Sequence, residues 1–121
     1  MNNLEDPAYW KALVNMGLSK FFILRVLHTE PSHGYSVLEK LARFTEGCCV
    51  PTYGTIYPIL KELVKGEYAI VSSETVGGRQ RKIYRLTEKG EDAYRNAVRV
   101  WQDMIPYLIR VVVENGEDTC D

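Results

Sequence analysis

Residues 52–86 read TYGTIYPILKELVKGEYAIVSSETVGGRQRKIYRL, and the spacing of apolar residues changes period once within that stretch. Up to Gly66 it is helical. Ile56, Ile59, Leu60, Leu63 and Val64 share one face, because steps of three and four return to the same side of an α-helix. Thr52 is a candidate N-cap and Gly66 a candidate C′ residue. Pro58 falls in the first turn or two, where a missing N–H costs little. After Tyr68 the pattern turns strand-like. Ala69–Thr75 runs out, Gly77-Gly78 is a turn signal, and Ile83, Tyr84 and Leu86 mark the returning strand. Arg79, Arg81 and Lys82 then lie at or near the tip of one hairpin.

Upstream, Leu18 to Leu27 is apolar nearly all round, as a buried helix is. Glu30-Pro31-Ser32 ends it, since proline disfavours helical geometry in the residue before it. His33-Gly34 opens a second helix, with Tyr35, Val37, Leu38, Leu41 and Phe44 at helical spacing to about Thr45 and Gly47 as its stop. A short stretch, Pro7 to Val14, precedes these, and Met16-Gly17 is expected to interrupt it. Downstream, Thr87 caps a last helix from about Glu88 to Val113. Tyr94, Val98, Trp101, Ile105, Leu108 and Val112 recur along it at steps of three and four. Such a stripe suits packing on a partner helix, and these six are the expected dimer contacts. Pro106 is expected to kink or split this helix.

The order helix–helix–helix–hairpin–helix is the sequence form of a winged helix-turn-helix. The expected fold is α+β, mainly α, with a long C-terminal dimerisation helix. It divides into an N-terminal extension (1–16), helical and packed on the dimer interface, a winged helix-turn-helix (17–87), the dimerisation helix (88–113) and an acidic, flexible tail (114–121).

The chain has 121 residues, 45% of them hydrophobic and 26% charged, which suits one globular domain. No apolar run approaches the roughly 20 residues of a membrane span. The acidic start, Met1 to Asp6, lacks the features of a signal peptide, so a cytoplasmic location with no membrane partner is expected. The net charge of −1 says little by itself. Its distribution says more: Val76 to Thr87 holds only basic charges, and Glu114 to Asp121 only acidic ones.

Cys48, Cys49 and Cys120 do not make a disulfide framework and read as reduced thiols. Cys48 and Cys49 precede the third helix, so a thiol or metal sensor stands as an alternative. Ser32-His33 lacks an orienting acid, and Gly77-Gly78 lacks the strand–helix context of a phosphate loop. His28 has no second ligand nearby in sequence. No enzyme activity, cofactor or metal is expected.

Four segments in order carry a resemblance: Pro31-Ser32-His33-Gly34-Tyr35, Tyr53 to Lys61, Gly78 to Tyr84, and Leu86-Thr87-Glu88-Lys89-Gly90. Together they resemble the PadR family of winged-helix transcriptional regulators, over about Gly17 to Trp101. The single last helix resembles the family's short-tailed branch. The resemblance implies a homodimer on operator DNA, usually a repressor, often released by a small molecule. The stretch before Met16, the Cys48-Cys49 pair and Pro106 depart from the common pattern.

On that footing the third helix is the recognition helix. Thr52, Tyr53, Thr55 and Tyr57 occupy its first turn, where hydroxyls and the helix dipole meet phosphates and base edges. Lys61 follows as a candidate phosphate contact. Arg79, Arg81 and Lys82 form a wing suited to the minor groove or flanking phosphates. His33 and Tyr35 open the second helix, which crosses the DNA backbone. An ordinary solvated hairpin and a capped core helix are the plainer readings of the same residues, and a winged-helix module that binds protein rather than DNA is the alternative function. In the family's short-tailed branch a tryptophan at Trp101 stacks flat aromatic ligands. That makes Trp101, with Trp10, the candidate ligand contact, against the plainer reading of core packing. The expected partners are double-stranded DNA, a second copy and a small planar aromatic molecule.

Overall fold

The computed structural model describes residues 3–47 and 51–113. Cys48, Cys49, Cys120 and the acidic tail lie outside them. The elements run α1 (Pro7–Thr29), β1 (Ser32–His33), α2 (Gly34–Phe44), α3 (Tyr53–Lys65), β2 (Ala69–Val76), β3 (Arg79–Leu86) and α4 (Glu88–Val113). This is the mainly helical α+β winged helix-turn-helix.

Asp6 starts α1 by accepting a hydrogen bond from the Ala8 N–H at 2.9 Å, with Pro7 in the first helical position. The interruption expected at Met16-Gly17 does not occur: α1 is one helix of 23 residues. A helical glycine costs about 1 kcal/mol against alanine. That is too little to break a helix whose later half buries Ile23, Leu24, Val26 and Leu27. These residues meet Val37 and Leu41 of α2 and Ile56, Leu60 and Leu63 of α3 in one core.

β2 and β3 pair antiparallel from Ala69↔Leu86 to Val76↔Arg79. Gly77 and Gly78 turn between them with φ of 57° and 81°, the left-handed pair that a two-residue hairpin turn demands. The sheet order is β1-β3-β2, with Ser32↔Tyr84 and His33↔Ile83. Two residues are too short to show a period, so β1 leaves no sequence signal. It matters because it fixes the start of α2 to the root of the wing.

Two helix ends differ from expectation. Gly66 has φ −87°, and the left-handed residue is Glu67, at φ 66°. The Tyr68 N–H then reaches back to the Leu63 carbonyl at 2.8 Å. A side chain at position 66 would run into the Tyr68 ring, so glycine is there for space rather than for a left-handed turn. The second difference is Pro106, which neither ends nor splits α4. The carbonyl it leaves without its usual helical donor is that of Gln102, at an exposed position open to solvent.

The start of α4 is locked to the end of α3. Thr87 Oγ1 donates to the Glu67 carbonyl at 2.7 Å and accepts from the Gly90 N–H at 3.0 Å. Lys89 Nζ donates to the Gly66 carbonyl at 2.9 Å. Glu88 and Glu91 sit in the first turn, where the helix dipole favours acids. From there α4 crosses α1. Phe21 stacks on both Tyr94 and Trp101, with ring centroids 6.0 Å apart in each case. No helix among the described residues is long and apolar enough to cross a membrane.

Candidate nucleic-acid interface

The inward face of α3 is committed to the core, with Ile56 and Leu60 fully buried. Its outward face therefore carries Tyr53, Tyr57 and Lys61, one turn apart. All three are exposed, as are Thr52 and Thr55. Tyr53 and Tyr57 stack at 6.0 Å, and the Tyr53 hydroxyl donates to the Tyr35 carbonyl at 3.4 Å. Thr52 is the N-cap residue by position, but its side chain makes no capping bond. Its Oγ1 lies 3.4 Å from Thr55 Oγ1 instead. The Thr55 N–H goes to the Thr52 carbonyl at 2.9 Å, while those of Tyr53 and Gly54 take no partner among the described residues, as helix starts generally allow.

Tyr57 is also packed beneath the start of α2. A Cβ at Gly34 would lie 2.7 Å from Tyr57 Cε1, so glycine lets these two helices close up. A cleft of about 250 Å3 remains between them and the wing, lined by Gly34, Tyr35, Tyr57, Gln80, Arg81, Lys82 and Tyr84. Elements distant in sequence converge there.

The three wing cations are not equivalent. Arg79 is exposed beside the turn, and Lys82 is exposed across from Ser73. Arg81 folds back: its guanidinium carbon lies 4.5 Å from the centroid of the Tyr35 ring. Its Nε is buried with no hydrogen-bond partner among the described residues. Glu74 is its neighbour across the strands, yet the Glu74 carboxylate goes to His33 Nε2 at 3.2 Å. Arg85, an alternative partner for Glu74, stands opposite Ile70 and stays exposed.

His33 is thus placed differently from its neighbours in the expected set. Its ring bonds Glu74 and stacks on Tyr35 at 5.5 Å, leaving its side chain 18% exposed. It ties the wing to α2 and has little surface left for DNA. Sequence reasoning missed Glu74, Gln80 and Tyr84 in this cluster. Only the strand register brings them in, and the alternation of β3 was the one available hint. Burial, together with Tyr57 nearby, holds the Tyr84 hydroxyl above the usual phenol range, so it remains a donor.

The stripe on α4 divides in two. Tyr94 is buried, Val98 packs on the core and Trp101 is half-buried against Phe21. These face the chain's own α1. Ile105, Leu108 and Val112 are exposed, together with Met104, Ile109 and Val113. At the other end of the chain Trp10 is exposed, and its indole N–H donates to the Leu4 carbonyl at 2.8 Å. It lies about 16 Å along α1 from Phe21, so one chain does not bring Trp10 and Trp101 together.

The family model described as "Transcriptional regulator PadR-like family" matches residues 23–96. The transcriptional regulator YqjI of Escherichia coli K12 is 34% identical over 74 residues, which are 61% of this chain and 34% of that protein. The chain therefore spans about a third of the length of that curated relative. Among solved structures, a transcriptional regulator from Clostridium thermocellum superposes with a TM-score of 0.74 at 23% identity, covering 82% of this chain and 97% of that one. A PadR family regulator from Eggerthella lenta gives 0.72 at 22%, over 84% and 88%. Bacillus subtilis PadR in complex with operator DNA gives 0.62 at 22%, over 67% and 46%. At these identities the structural likeness is one of fold.

Proposed function

The chain belongs to the PadR-like family of transcriptional regulators, and from there we propose that it binds a palindromic operator as a homodimer and represses. The observation that carries the proposal is the surface where α3, the start of α2 and the wing converge. Its cleft brings Arg81 and Lys82 to the Tyr35 and Tyr57 phenols, with Arg79 exposed beside the hairpin turn and Lys61 exposed one turn further along α3. Cations and N–H groups bind phosphates, and hydroxyls read base edges. The like-folded Bacillus subtilis PadR is bound to operator DNA, which supports the same partner here.

Two such surfaces, related by a two-fold axis, would place their α3 helices in successive major grooves about 34 Å apart. The second copy is supported by the bare apolar face of α4 from Met104 to Val113, with Leu13, Val14 and Met16 of α1 also exposed. A patch of that kind marks an interface. A planar aromatic effector stacking on the open edge of Trp101 completes the proposal. Trp10 joins that site only from the second copy.

The test is a gel shift on the DNA upstream of the protein's own gene. Wild-type protein shifts it. The double variant Arg79→Glu/Arg81→Glu does not. Retention of full binding by that variant would sink the wing-to-DNA assignment.

A further inference from the structure

Glu74 is the only acid between Ala69 and Leu86, set among the cations of the wing. Its register partner on β3 is Arg81. Residues directly opposite on antiparallel strands have Cβ atoms about 4.5–5.5 Å apart, close enough for a carboxylate and a guanidinium to pair. These two do not pair. Glu74 Oε2 lies 3.2 Å from His33 Nε2 instead. Arg81 lies on the Tyr35 ring, with its Nε buried and without a hydrogen-bond partner among the described residues. A buried donor left unsatisfied is costly. The carboxylate thus has two partners within reach, one taken and one left wanting.

Of the two, His33 is the one whose charge changes near neutrality. Histidine gains and loses its proton in that range, whereas arginine stays charged. The titratable and charged groups around its ring come from three elements. β2 supplies Glu74, and α2 supplies Tyr35, stacked at 5.5 Å. On β3, Arg81 and Arg85 flank Ile83, the residue paired with His33. Lys40 of α2 is committed nearby, with Nζ 2.7 Å from both Glu30 Oε2 and Ser32 Oγ. As imidazolium, His33 gives Glu74 a charge-assisted hydrogen bond. As imidazole it gives one without a charge of its own, and the guanidinium across the strands becomes the stronger partner.

We propose that His33 and Glu74 are positioning residues for Arg81. Protonated His33 holds the Glu74 carboxylate aside and leaves Arg81 to a DNA phosphate. Neutral His33, its proton gone to solvent, releases the carboxylate onto Arg81, and the wing presents one cation fewer. Neither His33 nor Glu74 touches DNA in this arrangement, and both act through the guanidinium. The effect on DNA rests on the function proposed above, whereas the exchange of partners does not. It also differs from a simple charge effect. Loss of an imidazolium weakens phosphate binding whatever stands at position 74, while the exchange needs both Glu74 and Arg81.

The test is gel-shift titration of the full chain on the DNA upstream of its own gene, at fixed ionic strength, at about pH 6 and about pH 7.5. Wild-type affinity should fall about fivefold from the lower to the higher pH, the upper range for one exposed ion pair. Glu74→Gln should bind at both as tightly as wild type at the lower pH. His33→Gln should bind at both as weakly as wild type at the higher pH. Arg81→Gln should bind weakly and without pH dependence. His28→Gln removes the other histidine, which sits on α1 against Glu91, and should keep the wild-type fall. A flat wild-type profile overturns the proposal. So does a fall that persists in Glu74→Gln or Arg81→Gln, since it would belong to the imidazolium charge alone. Arginine side-chain NMR reads the exchange without DNA. The Arg81 Nε signal should move between the two pH values in wild type and stand still in Glu74→Gln. A signal that does not move in wild type overturns the exchange. Movement in a protein that shifts no DNA at either pH overturns the function proposed above, while the exchange of partners stands.

Discussion

Gly34 and Arg81 are the residues on which the proposed DNA-facing surface turns. A methyl group at position 34 would press on Tyr57, whose ring is wedged between α2 and the wing. Gly34→Ala should cost about 1–3 kcal/mol in denaturant unfolding and weaken operator binding beyond that by displacing the phenol. Arg81 holds a flat face against Tyr35, which an ammonium group cannot reproduce. Arg81→Lys should therefore reduce affinity severalfold, whereas Lys82→Arg, on the open side of the same strand, should leave it nearly unchanged. Gel-shift titration separates the two. Tyr84 gives a pH signature. Its hydroxyl titrates above the ordinary value of 10.0, mainly through burial and then through Tyr57. A group raised in this way contributes its stability below the unfolded pKa and loses it as pH rises through the folded one. Unfolding stability should fall above pH 10.0 more steeply in wild type than in Tyr84→Phe, as urea midpoints at alkaline pH would register. Tyr57 and the wing arginines were legible as candidate DNA contacts from residue type and position. The neighbours of Arg81 were not, because a side chain 46 residues away in sequence supplies its stacking ring.

At the scale of elements, local chemistry set most boundaries. Thr87 was readable as a cap because a hydroxyl before a helical run satisfies one of its free N–H groups. Its second bond, to the Glu67 carbonyl, joins two elements and had no sequence mark. Thr87→Ala should therefore cost more than a cap alone, about 2 kcal/mol against the usual 1. Gly90 is stricter. An added Cβ there meets the Tyr68 carbonyl, a backbone atom that cannot swing aside. Gly90→Ala should lower the melting temperature more than Gly17→Ala, which meets nothing within 4 Å and should raise helix stability slightly. Thermal melts by circular dichroism compare all three. The misread elements share one cause. Met16-Gly17 carries a penalty against helix of about 1 kcal/mol and Pro106 one of about 3 kcal/mol, and helical residues on both sides outweigh them.

For the whole molecule, the bare face of α4 and the charge layout lead to separate measurements. Leu108→Glu and Val112→Glu change exposed side chains. The pair should convert a dimer to a folded monomer in sedimentation and reduce operator binding sharply, since two linked half-sites become one. Operator affinity should also fall steeply with salt despite the net charge of −1, because the counterions released depend on phosphates paired locally and not on total charge. A flat logarithmic slope against salt would contradict a phosphate-bound wing. By itself, the sequence determined the helical and strand segments, the hairpin turn, the basic wing and the family. Each depends on residue type at short spacing, and short-range geometry is written in the chain. Tertiary structure decided the rest. It alone placed His33 on Glu74, turned Tyr94, Val98 and Trp101 inward to α1, and left Ile105, Leu108 and Val112 bare. Those pairings join positions tens of residues apart, and only packing of the complete core chooses among the partners that local pattern leaves equal.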